Sequence, residues 1–318
     1  MEAKAEETEE RANRSAVSPW AIPHICVCIC TYKRPRMLRR LLDEVNLQQT
    51  DNKFTVSAVV VDNDAAESAR LVVEEFTRQS PLRVEYYVEP QQGIARARNK
   101  VVAHAGGDYL AFIDDDEFPA PTWLFKLHEA CGTYSADGIL GPVKRHFEEE
   151  PPAWLRKSSL LERRVNPTGT PVDWHEARTG NVLIRGDLVR GDSQPFRPEF
   201  RSGEDQDFFR RKMAEGRRFF WSAEAVVFEV VPRERWRRSY FLRRALLRGT
   251  SAVQKPDCGP LSIAKSMVAV PVYLLALPFA QLAGHHRFMT LLVKLCDHLG
   301  KLLALVGIHP IRERYVSE

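Results

Sequence analysis

The chain has 318 residues, 44% of them hydrophobic and 28% charged, with a formal net charge of +4. That length and apolar content suffice for one large core with an appendage, or for two modest domains. So mild a charge is not that of a nucleic-acid binder, and nucleic acid is not expected as a partner. Residues 1–18 are rich in Glu, Lys, Arg and Ala and hold no apolar stretch. No secretory signal is read there, and 1–22 is expected as a disordered leader. The six cysteines form no C-x2-C pair. Cys26, Cys28 and Cys30 share one face of an expected strand and read as small buried hydrophobes of a reducing cytosol.

Residues 25–31 are a near-continuous apolar run, the pattern of a buried parallel strand. Residues 36–48 follow with Met37, Leu38, Leu41, Leu42 and Val45 at helical spacing and Pro35 near the helix start. A second buried strand, 54–61, runs into Asp62-Asn63-Asp64. A helix at 68–79, a strand at 82–88, a helix at 94–105 and a strand at 109–113 continue the alternation. This predicts an α/β core with a mostly parallel sheet. Residues 141–178, rich in Pro and charge, read as loops and short elements covering a site. Residues 180–184 read as a strand, 203–215 as a helix opening on acids, and 219–221 and 225–231 as short strands. After Pro232 the composition changes. Seven arginines from Arg233 to Arg248 share a helix with Trp236, Tyr240 and Phe241. Residues 266–283 carry no charge but hold Pro271 and Pro278, and 290–306 form a third apolar helix. The expected boundary lies near Val231, with an α/β domain over 23–231 and a basic, apolar helical region over 232–318.

In open α/β sheets ligands bind at the carboxyl ends of the strands. Thr31-Tyr32-Lys33-Arg34, Asp62-Asn63-Asp64 and Asp114-Asp115-Asp116 all follow strands directly and are expected to converge on one crevice. No G-x-G-x-x-G follows the first strand and no G-x4-G-K-[ST] occurs, which argues against a dinucleotide dehydrogenase and a P-loop NTPase. The carboxylates of 114–117 repel one another unless a cation sits among them. Oxygen donors of this kind suit Mg²⁺ or Mn²⁺. Asp114 and Asp116 can reach one side of the chain while Asp115 points elsewhere. A divalent ion there would neutralise a diphosphate leaving group. An acidic turn that merely ends a strand is the plain alternative. Asp62 could accept hydrogen bonds from a base or ribose, although Asp and Asn are also ordinary turn formers. Arg96 and Asn99 stand near a helix N-terminus, where phosphate is favoured; the alternative is a solvated basic face. Asp205, in the run Gly203-Glu204-Asp205-Gln206-Asp207, is the candidate for deprotonating a sugar hydroxyl. Helix capping by acids would equally account for that run.

Taken in order, these segments resemble the inverting family 2 glycosyltransferases, which have the GT-A fold. The matching pieces are Cys28-Ile29-Cys30-Thr31-Tyr32-Lys33-Arg34-Pro35, Val61-Asp62-Asn63-Asp64, Ala95-Arg96-Ala97-Arg98-Asn99, the aspartate triplet, Thr179-Gly180-Asn181 and Gly203-Glu204-Asp205-Gln206-Asp207-Phe208. With Gly141-Pro142-Val143, the set looks most like the glucosyltransferases of bacterial succinoglycan-type exopolysaccharide assembly. The resemblance implies transfer of glucose or a related hexose from a UDP-sugar to a lipid-linked or polysaccharide acceptor, with Mg²⁺ or Mn²⁺. It implies that Thr31, Tyr32 and Arg34 lie along the donor nucleotide, and that Asp62 meets the uracil or ribose. Asp64, Arg96, Asn99 and Asp115 join the donor site. Asp114 and Asp116 would hold the metal, and Thr179, Gly180 and Asn181 would border the sugar and acceptor. Asp205 would be the general base, with Glu204 beside it. One position departs from the pattern: where family members often carry a late His, this chain has Phe228, which cannot ligate a metal. Glu229 is then the candidate third ligand.

The uncharged stretch 266–283 is at the lower limit for a membrane span. Its prolines and the flanking Lys265 and His285 suit an interfacial or re-entrant hairpin at least as well. The arginine-rich helix before it suits anionic headgroups, which places the protein on the cytoplasmic face of the inner or plasma membrane. A helical subdomain or a dimer interface is the alternative. Two other functions remain open. A nucleotidyltransferase would usually show a Gly-rich basic loop after the first strand, and residues 31–35 lack the glycines. A degenerate transferase domain acting as a membrane assembly partner is motivated by Phe228 and opposed by the intact acidic clusters.

Overall fold

The computed structural model describes residues 22–200, 203–253 and 258–311. The leader expected at 1–22 lies, but for Ile22, outside them. The chain divides into two compact units, one of residues up to Gly141 with 166–226, the other of 142–165 with 227 onward.

The first unit opens with β1 (His24–Thr31), α1 (Pro35–Asn46), β2 (Thr55–Asp62), α2 (Arg70–Gln79), β3 (Arg83–Val88), α3 (Ile94–His104) and β4 (Tyr109–Asp114). Pro35 begins α1, where its fixed φ and missing N–H suit the first turn. Leu38, Leu41, Leu42 and Val45 then form the buried stripe expected of that helix. Each fully buried leucine contributes about 1.5–3 kcal/mol relative to exposure. The unit continues with β5 (Glu117–Pro119), α4 (Trp123–Thr133) and β6 (Gly138–Leu140). The chain returns to it for β8 (Asn181–Arg185), α6 (Glu204–Ala214) and β9 (Phe219–Trp221).

One sheet has the order β3-β2-β1-β4-β8-β6-β9. β1 to β4 run parallel, and β8 runs antiparallel between β4 and β6. The expected mostly parallel α/β core is therefore present, with helices interleaved. The register sets the site. Thr31 faces Asp62, Cys30 faces Asp114, and Ile113 faces Asn181. The polar ends of β1, β2 and β4 thus lie at one level of the sheet, beside the start of β8.

The second unit holds β7 (Val143–His146), the short α5 (Ala153–Arg156) and β10 (Val227–Val230). Its helices are α7 (Arg238–Ala252), α8 (Pro260–Leu282) and α9 (His285–Leu305). β7 and β10 pair in parallel, Val143 beside Val227. That pairing carries 142–165, expected to be loops of the first domain, into the C-terminal unit, so no single boundary near Val231 divides the chain. Leu155, Phe241, Ala245 and Val293 form the core, with Trp154 and Trp236 packed on it. The uncharged stretch expected at 266–283 lies within α8, which continues through Pro271 and Pro278. By length and composition alone, α8 is long and apolar enough to cross a membrane. α9 starts at His285, earlier than the apolar pattern at 290 indicates.

α7 and α9 cross at Gly249 and Gly300. A Cβ on Gly249 would lie 2.1 Å from the Asp297 carbonyl oxygen, and one on Gly300 would lie 2.4 Å from that of Leu246. Alanine ordinarily improves a helix interior by about 1 kcal/mol over glycine. At Gly249 the obstacle is backbone, which no rotamer change relieves. Gly249→Ala is therefore expected to destabilise the protein by about 1–2 kcal/mol net, an overpacking cost at the upper end of roughly 1–3 kcal/mol less the propensity gain. Gly132→Ala on α4 is the control, because nothing lies within 4 Å of the added methyl. Thermal melts followed by circular dichroism should shift in opposite directions for the two variants.

Candidate functional site

Three successive aspartates leave β4 and take three environments. Asp115 turns inward. Its Oδ2 accepts the Thr31 hydroxyl at 2.8 Å and the Tyr32 N–H at 3.4 Å, and its Oδ1 accepts Arg34 Nη1 at 2.8 Å. Burial pushes its carboxyl up to about 6, with Arg34 opposing and Asp116 adding to the rise. Asp116 lies 3.2 Å from the same Arg34 nitrogen. Asp114 remains open, its side chain 47% exposed. Its N–H donates to Glu117 Oε2 at 3.1 Å. Gly180 leaves room for both carboxylates: a Cβ there would lie 3.0 Å from Glu117 Oε1 and 3.1 Å from Asp114 Oδ2.

Arg98 joins this turn to the start of α6. Its guanidinium is buried, donates to Glu204 Oε1 and lies 3.6 Å from Asp114 Oδ1. Both members of the pair are raised, for different reasons. Burial opposes the charge of Arg98, but Glu204, Asp114 and Asp205 outweigh it. Burial lifts Glu204, Arg98 pulls it back, and Asp205 and Asp114 lift it further. Asp205, next along α6, is half-buried rather than enclosed. One guanidinium therefore spans the open acid of β4 and the acid adjoining Asp205.

Several residues read as ligand contacts have other work. Thr31 is buried and its hydroxyl is engaged by Asp115. Tyr32 and Arg34 are half-buried beside it. Asp62 has no exposed surface. Its carboxylate accepts the N–H groups of Asp64 at 3.0 Å and Ala69 at 2.8 Å, and the Tyr86 hydroxyl at 3.1 Å. Burial raises its pKa against those bonds. Asp62 thus ties the turn after β2 rather than offering itself to a base, and buried Asp64 caps Ala66 N–H in the same turn. Asn63, not singled out by the sequence, binds the carbonyls of Glu89 and Gln91 and accepts the Gly93 N–H, fixing the entry to α3.

Arg96 is exposed, and Asn99 exchanges two hydrogen bonds with the Phe196 backbone, so the helix supplies Arg98 in their place. Helical phase held that signal. Arg98 shares a face with Ala97 and Val101, whereas Arg96 lies with Lys100 and Ala103. Asn181 accepts the buried Trp123 indole N–H at 2.7 Å and donates to the Ala225 carbonyl at 2.8 Å. It pins β8 and is not presented to a sugar. The Thr179 hydroxyl is buried with no hydrogen-bond partner among the described residues. Glu229 belongs to the second unit and is buried under Arg145, Arg163 and Arg235, its two oxygens divided among them. A carboxylate so neutralised is a structural ion pair, and the third-ligand assignment is corrected accordingly.

Among the described residues no three His, Cys, Asp or Glu side chains gather as a ready metal cage. Mg²⁺ and Mn²⁺ need none, being commonly held by one or two carboxylates plus substrate phosphates and water. The open Asp114 carboxylate, with Asp116 in the same turn, fits that donor set.

Residues 26–189 match the family described as Glycosyl transferase family 2. The succinoglycan biosynthesis protein ExoM of Rhizobium meliloti (strain 1021) is 30% identical over 302 residues, 91% of this chain and 95% of that protein. The glycosyltransferase AglE of Haloferax volcanii is 26% identical over 191 residues, 60% of this chain and 61% of AglE. Among solved structures, the mannosyltransferase PcManGT from Pyrobaculum calidifontis, in complex with GDP-Man and Mn²⁺, superposes with a TM-score of 0.59 at 17% identity, covering 93% of each chain. The TarS 1–349 structure from S. aureus in complex with UDP-GlcNAc does so with 0.52 at 18% identity, over 70% of this chain and 66% of that one. At such identities these structures speak to the fold, which is GT-A. The family match covers more than half of the sequence and ExoM aligns along nearly all of it: the chain belongs to the family 2 glycosyltransferases.

Proposed function

We propose that the protein transfers a hexose, with inversion, from a UDP-sugar to a lipid-linked or polysaccharide acceptor in exopolysaccharide synthesis at the cytoplasmic face of the membrane. The observation that carries this is Arg98, a single buried guanidinium between the open Asp114 and the Glu204–Asp205 pair. It stands between the acid we assign to the diphosphate side and the acid adjoining the one we assign as base, an arrangement that suits in-line displacement at an anomeric carbon. ExoM, similar along almost its whole length and named for succinoglycan biosynthesis, supports the polysaccharide context.

Asp205 acts as general base. Its carboxylate takes the proton of the acceptor hydroxyl, that oxygen bonds to the anomeric carbon, and the bond from that carbon to the diphosphate breaks. Attack opposite the leaving group inverts the centre. Asp114 and Asp116 would hold Mg²⁺ or Mn²⁺, which supplies positive charge to the departing diphosphate. Arg34, fixed by Asp115 and Asp116, adds a cation on the donor side, and Tyr32 lies next to it. Gly180 admits the sugar by carrying no side chain against Asp114. Thr179 offers the neighbouring hydroxyl.

The direct test is incubation with UDP-, GDP- and dTDP-sugars plus Mn²⁺, measuring free nucleotide. Release from a UDP-hexose is expected. If the folded protein neither binds nor turns over any donor, the proposal falls and a non-catalytic assembly role takes its place. Asp205→Asn should retain donor binding and lose transfer by roughly 10²- to 10⁴-fold, the usual contribution of a positioned base; full activity would remove Asp205 from that role. Asp114→Ala should abolish the difference in UDP-sugar affinity measured with and without Mn²⁺. Arg98→Gln leaves Glu204 buried without its partner and should cost about 3–5 kcal/mol in chemical denaturation.

A further inference from the structure

Among the described residues, the second unit leaves an apolar surface of α8 uncovered. α8 packs against α9 as an antiparallel hairpin, with His298 Nδ1 at 3.0 Å from Ser266 Oγ and Lys301 Nζ donating to Ser262 Oγ at 2.9 Å. The face of α8 turned toward α9 holds Ser262, Ser266 and Tyr273. The opposite face is exposed along the whole helix and holds Leu261, Val268, Val272, Leu275, Phe279 and Leu282, with Lys265 among them near its start. A continuous apolar face of this size marks a contact with another surface.

Two observations decide how α8 meets that surface. Pro271 and Pro278 both lie on the exposed side and have no N–H, so the Met267 and Leu274 carbonyls lose their helical donors. Within hydrocarbon nothing on that side could satisfy them, whereas water and headgroups can do so at an interface. In addition, α9 runs beside α8 and carries Lys294, Asp297, His298 and Lys301, with Asp297 paired to Arg248 of α7. If α8 spanned a bilayer, its partner would carry those charges into the core.

The occupant is indicated by charge. α8 contains one charged residue, Lys265, and no acid. α7 in the same unit has four arginines and no acid, and Arg237, Arg238, Arg243 and Arg244 are exposed. An apolar face accompanied by exposed arginines suits an anionic bilayer surface, where each basic group adds to the binding. We propose that α8 lies flat in the interfacial layer of an anionic membrane, its Leu261-to-Leu282 face toward the acyl chains and α9 bracing it from the water side, and that it does not span. This deepens the proposed membrane-bound acceptor chemistry and is measured without donor or acceptor.

The test uses the full chain and vesicles of phosphatidylglycerol and phosphatidylethanolamine, with phosphatidylcholine vesicles as the neutral comparison. Flotation with the anionic vesicles is expected, weaker with the neutral ones. Leu275→Glu with Phe279→Glu should lower the bound fraction at least tenfold and leave nucleotide release in solution unchanged. Depth is read with a fluorophore on Leu261→Cys, Val272→Cys and Leu282→Cys, each in a Cys258→Ser, Cys296→Ser background. Equal shallow quenching at all three positions is expected. A Val272 label lying deeper than the two ends would establish a span and overturn the proposal. So would undiminished binding of the double Glu variant, or a vesicle-free dimer that this variant splits, which would give the face to a second copy. Vesicle binding without nucleotide release from any donor would sink the transferase reading and leave the attachment standing.

Discussion

Carboxylates gathered at one edge of a sheet repel one another, and the candidate site depends on how two arginines hold them together. Arg34 comes from the turn before α1 and grips Asp115 and Asp116. Arg98 comes from α3 and grips Glu204 within reach of Asp114. Arg34 ties its own turn to the acidic turn after β4, and Arg98 lies between acids of two segments, so the ion pairs also order the loops. Asp115 and Asp116 are both buried beside Arg34, while Asp114, at longer range from Arg98, keeps 47% of its side chain exposed.

Backbone constraints bring these groups within reach. Parallel pairing of β1 with β2 and β4 aligns Thr31, Asp62 and Asp114 at one level, and antiparallel β8 delivers Gly180 beside the acidic turn. Asn181 and Trp123 lock that strand with a buried hydrogen bond, and Asn63 anchors the start of α3. Buried polar side chains of this kind are costly to leave unpaired, so each one fixes a conformation.

How much of this was legible follows from the range of the signals. The α/β alternation is local, carried by apolar periodicity, and it reads correctly from β1 to β4. The carboxylate cluster is equally plain, because three acids at a strand end are conspicuous. Individual roles were harder. Backbone groups claim Asp62, Asn99 and Asn181, and the Asp115 carboxylate claims Thr31, before any ligand does. Residue type and position look the same in either case. Arg98 was recoverable from helical phase, since it falls on the apolar stripe. The pairing of β7 with β10, which draws 142–165 into the C-terminal unit, joins segments far apart in sequence, and no local pattern encodes it. Glu229 was misread for the same reason: Arg145 and Arg163, which neutralise it, arrive through that pairing.

Glu204 and Asp205 illustrate how one helix start divides two identical chemistries. Successive residues on a helix point about 100° apart, so these two acids cannot share an environment. Glu204 faces inward to Arg98, and burial lifts its pKa, with Arg98 opposing and Asp205 and Asp114 adding to the rise. Asp205 faces outward and keeps part of its surface. Glu204 is enclosed and engaged by Arg98, so an acceptor hydroxyl has no access to it. The open neighbour can accept a proton without breaking that contact. It also lies close enough to Arg98 to contribute to its charged state, so the proton uptake proposed for Asp205 would be felt by the cation that contacts Asp114. Base and diphosphate side are thus joined through one side chain, and the separation of their roles rests on which way each carboxylate faces.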